Sequence, residues 1–162
     1  MPTDAPPAPE IRRAQRSESD QLAELMLEVR LENVGTIPPP MHPLDDMCRW
    51  MRDVVFARYD VWTADAAGRL VAMLVLGRPD WIEHLYVLGS HTGQGLGSRF
   101  VALAKQELAG DIQLWTFQSN LGACRFYERH GFRAVQTTEG DNEEHAPDVR
   151  YLYRRCGRAP AR

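Results

Sequence analysis

Three glycines at alternate positions, Gly93, Gly95 and Gly97, separate an apolar run from an amphipathic one in LYVLGSHTGQGLGSRFVALAKQ, residues 85–106. Glycine inside a helix costs roughly 1 kcal/mol against alanine, so three of them where a helix begins restrict what the chain can do there. A strand entering such a turn and a helix leaving it form an anion site. The first helical amides lack intrahelical partners, the dipole favours negative charge, and a missing Cβ lets backbone approach a phosphate. The same turn also serves as a bare strand-to-helix connection, and the stretch alone leaves both readings standing. Neither common nucleotide loop is present. The dinucleotide fingerprint needs glycine where Ser98 stands, and the nucleoside-triphosphate loop needs a Gly-Lys-Ser/Thr that is missing.

A chain of 162 residues with 44% apolar and 25% charged side chains is expected to form one ordinary globular domain. Its net charge of −3 argues against a general nucleic-acid binder, and no run approaches the roughly 20 apolar residues of a membrane span. The opening MPTDAPPAPE lacks the charged region and apolar core of a secretory signal. It reads as a disordered lead-in over residues 1–10, with the domain over 11–155 and a tail over 156–162. Cys48, Cys124 and Cys156 are too few and too scattered for a disulfide framework or a zinc site, which points to the cytoplasm.

The periodicities predict an α/β domain with a mixed sheet and about four helices. Residues 11–17 read as a first strand. Ser17 and Asp20 have capping-box spacing ahead of a helix carrying Leu22, Leu25, Met26 and Val29. After the proline-rich 33–43, a second helix carries Leu44, Met47, Cys48, Met51 and Val55 on one stripe. YDVWTA and RLVAMLVLG form a hairpin, WIEHLYVL is a further strand, and the glycine turn leads into a helix ending at Gly110. DIQLWTFQ is a strand, SNLGACRFYERHG a helix closed by Gly131, and FRAVQTT and DVRYLYRR are two final strands around an acidic loop.

On SNLGACRFYERHG, Asn120, Ala123 and Tyr127 share one helical face. Asn120 suits an N-cap, Ala123 leaves room, and Tyr127 offers a phenol donor. An N-cap and a core aromatic are the plainer reading of the same residues.

The order strand, glycine turn, helix, strand, Asn-led helix resembles the GNAT family of acyl-CoA-dependent N-acetyltransferases. TGQGLG (residues 92–97) occupies the family's Gln/Arg-x-x-Gly-x-Gly/Ala loop, NLGACRFY (120–127) matches its Asn-x-x-Ala-x-x-aromatic-Tyr segment, and HGF follows. The resemblance spans residues 11–153. It implies the GNAT fold, a mixed and mostly antiparallel sheet, and acetyl-CoA or another acyl-CoA as co-substrate, with no metal. The pyrophosphate would lie on the amides of Gly93, Gln94, Gly95, Leu96, Gly97 and Ser98. The pantetheine arm would run along Leu85, Tyr86 and Val87, bonding the backbone of Leu85 and Val87 as another strand would. Asn120 would complete the cofactor site, and Tyr127 would be the general acid. The implied reaction is direct attack by a primary amine of a small molecule or peptide. A non-catalytic acyl-CoA sensor is the alternative, and a homodimer is compatible with either.

Two positions depart from the family pattern. Thr92 stands in place of Gln or Arg, leaving only a hydroxyl to reach a phosphate, and Gly89 stands where many members have proline. For the general base, Glu83 is preferred over His84; strand alternation sends the two to opposite faces, unless a bulge intervenes. In the acidic loop, Glu139, Asp141, Glu143, Glu144 and Asp148 either attract a cationic amine or are a solvated charge run. Glu144, His145 and Asp148 do not have the spacing of a metal site. Trp50, Trp62, Trp81 and Trp115 suit either a pocket or the core.

Overall fold

The computed structural model describes residues 5–156; the first part of the expected lead-in (1–4) and most of the expected tail (157–162) lie outside the described residues. Among the described residues, seven strands form one sheet: β1 Glu10–Arg13, β2 Asp60–Ala66, β3 Arg69–Gly77, β4 Trp81–Val87, β5 Ile112–Phe117, β6 Arg133–Thr138 and β7 Asp148–Tyr153. Their spatial order is β1-β2-β3-β4-β5-β7-β6, and every pairing is antiparallel except β4 with β5. The helices are α1 Ser19–Glu32, α2 Leu44–Trp50, α3 Phe56–Arg58, α4 Leu96–Glu107 and α5 Leu121–Arg129. A π-helical turn, Met51–Val55, joins α2 to α3, so the two run on as one body and four helical bodies flank the sheet.

After Arg69, β3 is apolar, and Leu70 through Leu76 are all buried. A strand buried at successive positions needs cover on both faces. Helix α1 packs on β3 and β4 and buries Leu22, Leu25, Met26 and Val29, and α4, the crossover between the parallel strands, packs on β4 and buries Phe100, Val101 and Ala104. The β2–β3 hairpin turns on Ala67 and Gly68, both at positive φ (52° and 83°), as a two-residue connection requires.

The first strand is shorter than expected, and the capping box lies two residues earlier. The Glu18 carboxylate accepts from the Gln15 amide at 2.8 Å and holds Arg12 at 2.7 and 3.1 Å. This box ends the extended chain at Arg13 and starts a 3-10 turn over Arg16–Glu18, so Ser17 and Asp20 do not form it. Glu18, three residues after Gln15, is the acid that reaches back, and the Asp20 carboxylate lies 3.7 Å from Arg52.

The feature that matters for function is the β4–β5 junction. These strands share one registered pair, Trp81 with Gln113, and the Gln113 amide donates to Asp80 at 2.8 Å. Beyond it they diverge, leaving a cleft through the middle of the sheet.

Candidate active site

A cavity of about 730 Å³ fills that cleft. Its walls are β4 from Ile82 to Val87, β5 from Leu114 to Phe117, the glycine turn, and the Asn120–Tyr127 face of α5. Its far wall comes from α1 and the acidic loop, through Arg30 and Glu144.

The open edge of β4 follows from strand geometry. The Leu88 amide donates to Val71 on β3 at 2.9 Å. Alternation along an extended strand then directs the Tyr86 and His84 amides to β3, and those of Val87 and Leu85 to the opposite edge, where β5 has moved away. A buried sheet edge with unmet donors and acceptors is a template for an extended ligand.

The three glycines have two separate causes. Gly93 and Gly95 adopt left-handed φ of 72° and 83°, with nothing within 4 Å of where a Cβ would stand. Gly95 is the N-cap of α4, so the turn opens directly onto the free amides of that helix. Gly97 has ordinary φ, but a Cβ there would meet the Phe126 ring at 3.1 Å. It is glycine because α4 packs closely on α5. A second tie joins the same helices: His130 Nδ1–H donates to the Phe126 carbonyl at 2.7 Å, leaving Nε2 to meet the Ser98 hydroxyl at 2.9 Å.

The Thr92 hydroxyl, expected to reach toward a phosphate, instead donates to the Gly89 carbonyl at 2.8 Å and closes its own turn. Gln94 does likewise, donating to the Ser90 carbonyl at 3.1 Å. The Gly89 amide, which a proline would lack, donates to Glu32 at the end of α1 at 2.9 Å.

Asn120 caps α5, its Oδ1 accepting from the Ala123 amide at 3.2 Å, while the residue also borders the cavity. About two helical turns on, Tyr127 is 7% exposed and packed by Phe126, Phe132 and Tyr151 with ring centroids at 5.2, 5.6 and 6.2 Å. Burial, reinforced by the neighbouring Tyr86, pushes its phenol well above the ordinary tyrosine range. The phenol is therefore protonated throughout the physiological range.

Glu83 and His84 both border the cavity. The β3–β4 register passes from Val75↔His84 to Leu76↔Ile82, leaving Glu83 as the unpaired residue of a bulge. The extra residue interrupts the alternation of the strand at this point. Burial raises the Glu83 carboxyl above the usual carboxylate range. Burial, assisted by the nearby Arg30 charge, pushes His84 down to about 4, so its ring is neutral at pH 7. That ring lies between Trp50 (5.5 Å, edge-on) and Tyr86 (5.9 Å, stacked).

Part of the acidic loop turns inward. Glu144 pairs with Arg30 at 3.0 Å, with side chains 17% and 12% exposed. Asp148 is buried, bonded by Thr138 at 2.5 Å and Asn142 at 2.9 Å. Glu143 meets His42 at 2.5 Å, tying the loop to the segment between α1 and α2. Of the tryptophans, Trp115 borders the cavity and is 39% exposed, and Trp62 lies under the Arg13 guanidinium at 4.6 Å.

Sequence reasoning missed Arg30 and Arg129 among the cavity residues. Arg30 had a signal. It lies four residues beyond Met26 and one beyond Val29, prolonging the buried stripe of α1 with a charge.

A sequence model described as the Acetyltransferase (GNAT) family matches residues 20–132, more than half of the chain. The chain belongs to the GNAT acetyltransferase family. No curated protein matches it by sequence. Solved structures reproduce the fold of this GNAT protein at low identity. YjaB from Escherichia coli, solved in its apo form, is 17% identical with a TM-score of 0.71, covering 91% of this chain and 98% of its own. The PaiA N-acetyltransferase from Thermoplasma acidophilum, in complex with coenzyme A, is 15% identical with a TM-score of 0.66, covering 92% and 100%. The yncA protein from Salmonella typhimurium, solved with its cofactor acetyl-CoA, is 17% identical with a TM-score of 0.67, covering 96% and 98%. No helix among the described residues is long and apolar enough to cross a membrane.

Proposed function

We propose that this GNAT protein transfers an acetyl group from acetyl-CoA to a primary amine of a small molecule or peptide, by direct attack within a ternary complex. The observation that carries the reading is the free outer edge of β4, which runs from Glu83 past Leu85 and Val87 to the glycine turn. An extended pantetheine arm matches such an edge, and a pyrophosphate matches the amides from Gly93 to Ser98. The open space around Gly93 and Gly95 supports that fit, because a side chain at either would occupy it. Two structural neighbours were solved with coenzyme A or acetyl-CoA.

Acetyl-CoA supplies an activated acyl carbon and a thiol leaving group. The outward amide of Leu85 is the donor for the thioester oxygen, a contact type worth roughly 2.7–4 kcal/mol in other enzymes. Glu83 takes a proton from the acceptor ammonium. Its raised affinity for protons, caused by burial, brings it closer to the amine it must deprotonate. His84, lowered to about 4, is the weaker base. Tyr127 donates its phenolic proton toward the departing sulfur. Burial makes the phenol less acidic, and a thiolate in the same apolar surroundings becomes more basic, which favours its taking the proton. Asn120 caps the start of α5, the helix that carries Tyr127.

Two measurements test the proposal. Acetyl-CoA at 100 times its dissociation constant adds roughly 2.7 kcal/mol to folding and should raise the melting temperature accordingly. Free-thiol release across a panel of amines, with the amide identified by mass spectrometry, should reveal the acceptor class. An unmoved melting temperature overturns the proposal. Binding without thiol release for any amine, peptides included, assigns the protein instead to acyl-CoA sensing.

A further inference from the structure

The far wall of the cavity holds a charge that the protein does not fully use. Arg30 on α1 and Glu144 of the acidic loop line this wall and pair at 3.0 Å, with side chains 12% and 17% exposed. Two protein acceptors, the Glu144 carboxylate and the Pro38 carbonyl at 3.5 Å, meet the same guanidinium nitrogen, Nη2. Nε is buried and has no partner. A guanidinium carries several N–H donors, and leaving one buried without an acceptor is costly, so this arginine has donor capacity to spare beside a cavity. Among the described residues, no side-chain oxygen is left buried and unpartnered, so the unmet capacity is a donor's.

The pair lies close to the reacting strand. Burial sets the proton affinities of His84 and Tyr86, and the charges that act next on both rings are Arg30 and Glu144. That places the ion pair beside the stretch of β4 that carries Glu83. The surrounding wall is fastened as well. Glu143 meets His42 at 2.5 Å, and the Ser119 hydroxyl donates to the Thr36 carbonyl at 2.6 Å. These ties hold the segment between α1 and α2 to the acidic loop and to the β5–α5 connection, so the guanidinium is presented with little ordering cost at binding.

We infer that the acceptor amine also carries a carboxylate, and that Arg30 binds it. This rests on the acetyl-transfer reading above, which assigns the β4 edge and the glycine turn to the cofactor and leaves the far wall to the acceptor. A carboxylate is the complement of a guanidinium with unspent donors, and the guanidinium stays charged at all relevant pH. The substrate class is therefore an amino acid or another small amine with a free acid group.

The test is thiol release at saturating acetyl-CoA with matched amines: glycine, β-alanine and γ-aminobutyrate, each beside its carboxamide and the diamine of equal length. For the best-fitting length, wild type should show a kcat/KM about tenfold higher for the acid than for either partner, the scale of one charge-assisted contact. Arg30→Gln alone strands Glu144 as an unpaired and nearly buried carboxylate, so Arg30→Gln combined with Glu144→Gln is the informative variant. Its acid-to-amide ratio should fall to about one. Glu144→Gln alone releases Arg30 from its counter-ion, so its ratio should exceed that of wild type about threefold or more. With coenzyme A present, the acid should also raise the melting temperature of Glu144→Gln more than that of wild type. A general weakening of the fold scales acid and amide alike and does not move the ratio. The inference is overturned, with acetyl transfer left standing, by a wild-type preference below about twofold at every length or by a preference for diamines. An acid preference that survives in the double variant, or that Glu144→Gln lowers, overturns it equally, as does thiol release only from amines without a carboxylate. No thiol release from any amine overturns the acetyl-transfer reading, and this inference with it.

Discussion

The side chain of Glu83 lies across Gly77, in the space where any other residue would carry its Cβ. An atom built there overlaps Glu83 Oε1 and comes within 3.1 Å of Cγ and Cδ. Gly77 ends β3 and pairs with Trp81, so the bulge at Glu83 and the bare backbone at Gly77 are complementary halves of one arrangement. Substituting Gly77 by Ala moves a flexible carboxylate rather than backbone, so it should leave stability nearly unchanged. A displacement of about 1 Å in a reacting group can cost up to about 10²-fold in rate. Gly77→Ala is expected to lower kcat at least several-fold, with the KM for acetyl-CoA unaltered and the melting temperature within a few degrees. A kcat equal to wild type would separate Glu83 from the chemistry.

The pH dependence follows from the direction of the Glu83 shift. Only the carboxylate accepts a proton, and burial raises its pKa, so kcat/KM should fall as pH drops through a value above the usual glutamate range. Glu83→Gln should remove that acidic limb. Stability has its own sign. A carboxyl whose folded pKa exceeds its unfolded one stabilises the fold when protonated, and loses that contribution as pH rises through the folded value. Glu83→Gln should therefore melt higher than wild type at pH 7, with the difference shrinking in acid. Thermal melts at several pH values check this.

Tyr127→Phe keeps the ring among Phe126, Phe132 and Tyr151 and removes only the hydroxyl. Turnover should drop by about 10²-fold, the lower range for a general acid, while the Kd for coenzyme A stays within about twofold. Stopped thiol-release assays beside calorimetry distinguish the two effects. Wild-type turnover in the variant would remove the assigned role.

Thr92→Arg restores the long cationic arm at the head of the glycine turn and gives up the bond from Thr92 to the Gly89 carbonyl. Affinity for coenzyme A should rise about fivefold, a typical exposed charge-assisted gain. An unchanged Kd would place the phosphates elsewhere.

Gly95→Ala and Gly97→Ala should both destabilise, by different routes. The first forces alanine to φ of 83°, which costs roughly 1–2 kcal/mol. The second sets a methyl 3.1 Å from Phe126 and pries α4 from α5, for about 1 kcal/mol or more. Truncating the ring as well, in Gly97→Ala with Phe126→Leu, should relieve only the second. Additive losses in that double variant would refute the packing account of Gly97.

Local patterns carried much of this architecture into view. The alternating and continuous apolar runs identify the strands, since burial on one face or two imposes those spacings, and β3 ran over residues 69–77 as its composition implied. Asn120 as a cap and Gly131 at φ of 88° were readable because capping chemistry acts within one turn. The order of the glycine turn and the Asn-led helix already pointed to the GNAT family.

What the chain alone could not reveal depends on contacts between residues far apart in sequence. That Glu83 is the unpaired residue of a bulge rests on one register slip against β3. Gly97 is glycine because of Phe126, on another helix, and Thr92 is unavailable because Gly89 claims its hydroxyl. Glu144 leaves a run that reads as solvated because Arg30 waits 114 positions away. Sequence determines periodicity and caps, which are short-range energies; only tertiary packing decides which neighbour occupies the space beside each side chain, and so which groups meet in the cleft.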